Sequence, residues 1–313
     1  DKTHAFHLWI DNWDPHEPWD PPSVWDKDLP CMYDPDYKGC DIWAPPMGLV
    51  KNVYTEEQLH HIRMLFAEKI TLCDKYFGKL CDVIRWEGME ENTLVWLTSD
   101  HGEPLGNGEH GHGLICKVRP WPYEELVHIP LIIRFPGCPA GTRITAFAQD
   151  ADCAPTILEW MGVPIPPNMT GHSLLPLIRG ETAKVRDFAV AGYYSFSQSI
   201  ITEEWNYIHW LHKGTKGYDD QDPISITGQM YASSAYTSEE NVKALNEYKK
   251  QRALDGADQW TCNASTRAEV PEGDELYDRR TDPFQLVNVI SEHPEVASEL
   301  LNKLRTFMQD LDA

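Results

Sequence analysis

The residues of this chain best suited to chemistry are an adjacent aspartate and histidine that follow an apolar run. Residues 93–98 (Thr-Leu-Val-Trp-Leu-Thr) have the length and composition of a buried strand. Asp100 and His101 come directly after it, within the string Ser-Asp-His-Gly-Glu. In open α/β sheets, ligands bind outside the carboxyl ends of the strands. The pair therefore predicts a site for a metal ion or a phosphate-like group, and the alternative is a solvated turn.

The two side-chain types constrain which metal such a site would take. A carboxylate favours a hard cation such as Ca²⁺ or Mg²⁺, whereas the imidazole of His101 favours Mn²⁺ or another transition metal. A different possibility involves residues 108–113 (Gly-Glu-His-Gly-His-Gly). There, His110 and His112 could form a zinc site of three imidazoles together with His101.

Strands and helices are predicted to alternate along the first part of the chain. We predict strands over residues 5–13, 93–98 and 130–135, and helices over residues 55–86 and 152–161. This alternation is typical of an α/β fold with a doubly wound, mainly parallel sheet that has helices on both faces. Residues 15–46 are rich in proline and are predicted to form a long surface loop, which in a compact domain is usually functional.

The pattern changes after about residue 185. Short apolar runs at 188–191, 199–202 and 207–211 predict strands of an antiparallel sheet, and residues 239–254 and 294–311 are predicted to be helical. We therefore predict two domains. Residues 1–185 form an α/β domain, and residues 186–313 form a small antiparallel α+β subdomain.

Composition narrows the class of protein. The 313 residues are 42% hydrophobic, which is enough for a packed core. The net charge of −22 opposes binding to nucleic acid, because a polyanion is held by clustered cations. No apolar run approaches the ~20 residues that span a bilayer, and no signal peptide is recognisable. The eight cysteines show no Cys-x-x-Cys pair, which favours reduced thiols. Compartment and oligomeric state stay open.

The order of the motifs resembles the carboxyl-terminal half of the catalytic domain of sulfatases, in the alkaline phosphatase superfamily, and of their phosphonate monoester hydrolase relatives. The matching strings are Asp-Pro-His-Glu-Pro around His16, Ser-Asp-His-Gly-Glu, Gly-Glu-His-Gly-His-Gly, Tyr-Glu-Glu at 123–125 and Glu-Leu-Tyr-Asp at 275–278. They cover nearly the whole chain, and residues 212–272 match least. The resemblance implies the two-domain α/β architecture described above.

The resemblance also implies roles for four residues. Asp100 and His101 would be metal ligands for a divalent ion, Ca²⁺ or Mn²⁺/Mg²⁺. Lys117 would contact the sulfate or phosphonate oxygens, with Arg119 or an ordinary surface lysine as the alternatives. His16 would contact the ester oxygen and help to protonate the leaving alcohol, the alternative being a histidine packed among loop aromatics. The implied substrate is a small-molecule sulfate ester. Cleavage of a phosphonate or phosphate monoester, and a catalytically inactive binding homologue, are the rival interpretations.

Two parts of the family pattern are missing from the sequence. Neither the early acidic pair that binds the metal nor the Cys/Ser-x-Pro-x-Arg signature, whose first residue becomes the nucleophile formylglycine, can be placed. The nearest string, residues 153–157 (Cys-Ala-Pro-Thr-Ile), has Ile157 where arginine is required and reads as the start of a helix. Asp1 is not an initiator methionine, so we expect a partial chain. Its formylglycine would lie in a missing amino-terminal part, and the chain would be inactive in this form.

Overall fold

The structure is a computed structural model that describes residues 4–20, 29–45, 48–117, 121–193, 197–211, 271 and 273–311. Its helices are α1 (Glu56–Trp86), α2 (Glu124–Val127), α3 (Cys153–Trp160), α4 (Leu175–Ile178) and α5 (Pro294–Leu311). Its strands are β1 (Gly48–Leu49), β2 (Val95–Thr98), β3 (Leu105–Gly106), β4 (Leu114–Ile115), β5 (Leu131–Arg134), β6 (Ala189–Tyr193), β7 (Ser197–Ile201), β8 (Trp205–Trp210) and β9 (Glu275–Asp278). The predicted helix over 239–254 lies outside the described residues.

The described residues fall into two compact units. One lies within Asp1–Pro45, Lys51–Asp100 and Pro130–Arg186, and the other within Pro46–Val50, His101–Ile129 and Asp187–Ala313. The predicted boundary after residue 185 lies next to the junction at Arg186, whereas residues 101–129 belong to the second unit. The division of the sequence into two domains stays a prediction.

Helix α1 is the longest element of the first unit and confirms the predicted helix over 55–86. Thr55 begins it with a capping box, because its hydroxyl accepts from the Gln58 N–H and the Gln58 side chain accepts from the Thr55 N–H. Its buried face carries Leu59, Ile62 and Leu65. The apolar spacing read from the sequence therefore corresponds to the face that packs.

Strands β2 and β5 confirm two of the predicted strands, but they pair antiparallel. Val95 lies opposite Arg134, and Thr98 lies opposite Leu131. Every strand pair within the described residues is antiparallel, so the predicted parallel pairing does not apply to these strands. An apolar run predicts a strand without its direction, and mainly parallel sheets can carry an antiparallel edge strand. The α/β class itself is confirmed.

The predicted strand over residues 5–13 is wrong. This segment forms no strand in the described structure, and Phe6, Trp9 and Ile10 are each more than half exposed. The apolar pattern indicated burial, but a strand also requires a neighbouring strand to pair with its backbone groups.

Helix α3 confirms the prediction over 152–161, including the interpretation of the Cys153 string as a helix start. Asp152, directly before the helix, is fully buried. Its carboxylate accepts hydrogen bonds from the backbone N–H groups of Gln149 and His172, both at 2.8 Å, and from the guanidinium of Arg186. One buried acid thus joins three segments of the first unit.

The second unit contains the predicted antiparallel sheet and the carboxyl-terminal helix. Strands β6, β7, β8 and β9 pair in that order. Helix α5 packs its apolar face on the sheet, in a core that includes Ile200, Tyr207, Leu276, Leu300 and Leu304. This confirms the small antiparallel α+β arrangement. Among the described residues, no helix combines the length and apolar character needed to cross a membrane.

A second, smaller sheet in the same unit has the order β1, β4, β3. Its strands β3 and β4 flank the glycine- and histidine-rich segment. Leu114, Trp121 and Tyr123 pack on Ile208 and Trp210 of β8. The segment that carries His101 and Lys117 is therefore attached to the large antiparallel sheet.

Candidate active site

The Asp100–His101 pair follows strand β2, as predicted. Asp100 is exposed and belongs to the first unit, and His101 begins the segment His101–Ile129 of the second unit. Gly102 comes next, and its N–H donates to the carbonyl oxygen of Leu126 at 2.7 Å. A Cβ at this position would clash with the carbonyl oxygen of Glu125. The glycine of the Asp-His-Gly string is thus required for the close approach of two backbone segments.

The imidazole of His101 is oriented by its own backbone neighbour. Its Nδ1 lies 2.7 Å from the carbonyl oxygen of Gly102, so Nδ1 carries the proton that this contact needs. Nε2 then carries the lone pair and accepts from the Lys117 ammonium at 3.3 Å. The structure therefore brings together two of the four residues singled out from the sequence.

Lys117 reaches His101 because the intervening chain folds back on itself. Strands β3 and β4 pair antiparallel, so Leu105 lies opposite Ile115. The pairing of β3 with β4 extends by one more hydrogen bond, in which the Cys116 N–H donates to the carbonyl oxygen of Pro104 at 3.0 Å. Two-residue strands give no periodic signal, so sequence reasoning could not foresee this pairing. Arg119, the alternative to Lys117, lies outside the described residues.

The three-histidine zinc site is wrong. Both ring nitrogens of His112 are taken by protein acceptors, with Nδ1 2.7 Å from the Glu125 carboxylate and Nε2 2.8 Å from the carbonyl oxygen of Gln285. Neither nitrogen is left as a metal ligand. The hypothesis failed because the fold supplies acceptors to His112 from distant parts of the chain.

His16 lies in the first unit, in a loop that is attached to helix α1. Its Nδ1 is 2.6 Å from the carbonyl oxygen of Glu17, and its ring packs against Trp13 with centroids 4.6 Å apart. The loop is anchored by Trp19, which is fully buried, and by Asp20, whose carboxylate is 2.5 Å from the Lys69 ammonium. The imidazole is thus held on a fixed loop, and in its neutral form Nε2 is the basic nitrogen.

Asp150 is a residue that sequence reasoning missed. It lies in the first unit, in the short helical turn Asp150–Asp152 before α3. Burial raises the pKa of Asp150, and the negative charge of Asp100 raises it further. The two acids are distant in sequence, and no motif marked Asp150. A cation near Asp100 would relieve this accumulation of negative charge.

Behind the site, the late Glu-Leu-Tyr-Asp string supplies a buried carboxylate. Glu275 accepts from the Tyr123 hydroxyl at 3.1 Å and from the Trp210 indole N–H at 3.2 Å. Burial raises the pKa of Glu275. This string therefore supports the segment that carries the site, since Tyr123 lies directly before α2 and stacks on His112 with centroids 3.8 Å apart.

Comparison with known proteins agrees with this arrangement of motifs. The sequence matches the Sulfatase family over residues 14–163 and the carboxyl-terminal family of N-sulphoglucosamine sulphohydrolase over residues 108–251. The chain belongs to the sulfatase family. Within this family, it is 26% identical over 255 residues to arylsulfatase K of Bos taurus, covering 82% of this chain and 38% of that protein. It is 32% identical over 203 residues to an N-acetylglucosamine-6-O-sulfatase of Bacteroides thetaiotaomicron, covering 60% of this chain and 33% of that protein.

Solved structures of other proteins superpose on this chain and support its fold. A protein in complex with its substrate D-glucosamine-2-N,6-O-disulfate superposes with a TM-score of 0.58 at 21% identity, covering 83% of this chain and 44% of that chain. The phosphonate monoester hydrolase of Agrobacterium radiobacter superposes with a TM-score of 0.56 at 20% identity, covering 83% and 43%. The chain thus has the alkaline phosphatase-like fold and spans less than half the length of these proteins.

Proposed function

We propose that this chain carries metal-binding and substrate-binding residues of a sulfatase-type hydrolase of sulfate esters. The supporting observation is the contact between His101 and Lys117 in a member of the sulfatase family. An oriented imidazole next to a fixed ammonium suits a site that receives a cation and an anionic ester together.

The chemistry of Asp100 and His101 fits a divalent cation. Asp100 offers an exposed carboxylate, and the pKa of Asp150 is raised by burial and then by the negative charges of Asp100 and Asp152. His101 has its Nδ1–H fixed on the Gly102 carbonyl oxygen, so its Nε2 carries a lone pair, and a bound cation would replace the Lys117 N–H as the partner of that lone pair. When bound, such an ion neutralises charge on the sulfate oxygens. The mixed donor set favours Mn²⁺, with Ca²⁺ and Mg²⁺ as alternatives.

Lys117 and His16 have separate tasks in this proposal. Lys117 places a positive charge where negative charge develops on the sulfate oxygens during transfer. His16 holds Nδ1–H on the Glu17 carbonyl oxygen, so Nε2 is the nitrogen that carries a proton to the departing alcohol. The stiff loop around His16 keeps that nitrogen in a defined direction.

The substrate that we propose is the sulfate ester of a sugar. One relative is named N-acetylglucosamine-6-O-sulfatase, and one structural neighbour was solved with a disulfated glucosamine as its substrate. The sequence contains no Cys/Ser-x-Pro-x-Arg string. We therefore propose that this chain by itself binds metal and ester without turning the ester over.

Metal binding provides the first test. We expect His101→Ala to weaken Mn²⁺ binding by at least about tenfold, because the imidazole lone pair is removed from the ligand set. Isothermal titration with Mn²⁺ measures this. His110→Ala is the matched control, since His110 lies on the neighbouring loop with an exposed ring. Equal Mn²⁺ affinities of the wild type and His101→Ala would contradict the metal site.

Anion binding provides the second test. We expect Lys117→Ala to weaken the binding of inorganic sulfate by about 10- to 100-fold, because a charged hydrogen-bond donor is lost. Lys75→Ala, at an exposed position of α1, is the control. Sulfate titrations that give the same affinity for Lys117→Ala and Lys75→Ala would overturn the role of Lys117. Tighter binding of methylphosphonate than of sulfate would favour the phosphonate interpretation, and turnover of a chromogenic aryl sulfate would contradict the proposed inactivity.

A further inference from the structure

We propose that His112, held as a doubly hydrogen-bonded imidazolium, is a positioning residue for His101 and Lys117, and that loss of its proton loosens them. The part of this inference that concerns sulfate binding rests on the proposed function. The positioning itself rests on contacts within the second unit.

The surroundings of His112 select its charged form. Nδ1 faces the Glu125 carboxylate at 2.7 Å and Nε2 faces the carbonyl oxygen of Gln285 at 2.8 Å. Both acceptors can be satisfied only when both ring nitrogens carry hydrogen, which is the imidazolium. The ring also stacks on Tyr123, at an interplanar angle of 14°.

His112 lies in the turn that sets the path of the chain to Lys117. It has a φ of 52°, between Gly111 and Gly113, which also have positive φ. The Gly113 N–H donates to the carbonyl oxygen of Gly106 at 2.8 Å and closes the turn between β3 and β4. A side chain fixed at both ends of its ring therefore holds a backbone conformation that L-residues rarely adopt.

Glu125 carries the connection from His112 to His101. Its carboxylate holds the His112 ring, while its carbonyl oxygen fills the space beside Gly102 that a Cβ would occupy. The next residue, Leu126, accepts the Gly102 N–H at 2.7 Å. Displacement of Glu125 would therefore disturb the residue directly after His101, whose carbonyl oxygen orients the His101 ring.

Gln285 connects the same cluster to the end of the chain. Its side chain accepts the N–H of Glu124 at the start of α2 at 2.6 Å, and its carbonyl oxygen accepts from His112. Gln285 is almost fully buried and has a φ of 58°. The segment after β9 thus fastens both α2 and the His112 turn.

The charges around His112 determine how it responds to pH. Burial lowers its pKa, but the hydrogen bond to Glu125 and the charges of Glu125 and Glu275 outweigh this, so the pKa of His112 is raised. The other titratable group against the ring is Tyr123, whose pKa is raised by burial and so stays neutral. A raised pKa in the folded state means that the contact stabilises fully below the ordinary value of about 6.5 and is lost as pH rises through the raised value.

The experiment follows the ring of His112 and the Cα of Gly102 by carbon NMR as the pH is raised from about 6 to about 10. We expect the two signals to titrate with one midpoint, because one event moves both. Glu125→Gln keeps an acceptor for Nδ1 but removes the charge, so both midpoints should shift to lower pH together. His112→Gln, which removes the titrating group, should remove the midpoint of His112 from the Gly102 signal.

Glu124→Gln is the matched control. Glu124 is the first residue of α2 and pairs at 2.7 Å with His128, directly after that helix, and this hydrogen bond raises the pKa of His128. The substitution should shift the midpoint of His128 and leave that of Gly102 unchanged. A Gly102 signal that does not follow His112, or that follows His128, would overturn the proposal.

Sulfate affinity separates this inference from the proposed function. In the wild type we expect sulfate binding to weaken by about tenfold across the His112 midpoint, and in Glu125→Gln to weaken at the lower midpoint. If the wild type binds no sulfate at any pH, the proposed function fails while the shared carbon midpoints still test the positioning. If sulfate binds with an affinity that ignores the His112 midpoint, the positioning role fails and the proposed function stands.

Discussion

Gly102→Ala should destabilise the second unit. It should also displace Lys117 from the sulfate site, so that adding Lys117→Ala to this variant no longer changes its affinity for sulfate. The new Cβ would lie closer to the Glu125 carbonyl oxygen than the 3.0 Å that real Cβ atoms keep, and this neighbour is backbone, which cannot turn away. Relief would require moving Leu126 and breaking its hydrogen bond with the Gly102 N–H. We expect a loss of roughly 2–4 kcal/mol in the free energy of unfolding. Urea unfolding and sulfate titration measure the two effects.

Gly78→Ala distinguishes this clash from a general effect of replacing glycine. Gly78 lies within helix α1, and a Cβ there would meet nothing within 4 Å. Alanine in a helix is more favourable than glycine by about 0.5–1 kcal/mol, so this variant should gain stability. If both variants unfolded at the same urea concentration, the close approach at Gly102 would not matter and the explanation of the Asp-His-Gly string would be wrong.

Local signals predicted the long elements of this chain well. The apolar spacing and the capping box at Thr55 predicted helix α1, and the helix-start pattern at Cys153 predicted α3. Both patterns depend on residues that are close together in the sequence, so they can be recognised without knowledge of the fold. The strand prediction over residues 5–13 was wrong for the converse reason. A strand needs a neighbouring strand, and a local sequence pattern does not show whether one is present.

The candidate site was predictable in its residue types but not in its contacts. Asp100, His101 and Lys117 were found from their strings, whereas the approach of Lys117 to His101 depends on the two-residue strands β3 and β4. The contact between His112 and Gln285 joins positions 173 residues apart. The sequence offered three imidazoles and suggested zinc, and only the fold shows that His112 is occupied by protein acceptors.

Asp152→Ala should be the most destabilising of the substitutions in the first unit that we consider. The Asp152 carboxylate is fully buried, and it accepts from two backbone N–H groups and from Arg186, whose side chain is itself largely buried. Its removal leaves a buried positive charge and two donors without an acceptor. We expect a loss of about 3–5 kcal/mol in the free energy of unfolding, measured in urea. Asp82→Ala, which breaks an exposed pair with Arg85, should change it by less than about 1 kcal/mol.

A double substitution separates the effect of charge from that of volume at this site. Breaking a buried pair from one side is costly because the other charge remains, whereas replacing both partners is often neutral. Asp152→Ala combined with Arg186→Met should therefore recover part of the stability lost in Asp152→Ala alone. The recovery stays incomplete, because the N–H groups of Gln149 and His172 still lack their acceptor. A double variant that is less stable than Asp152→Ala would mean that Arg186 stabilises the first unit by packing rather than by its charge.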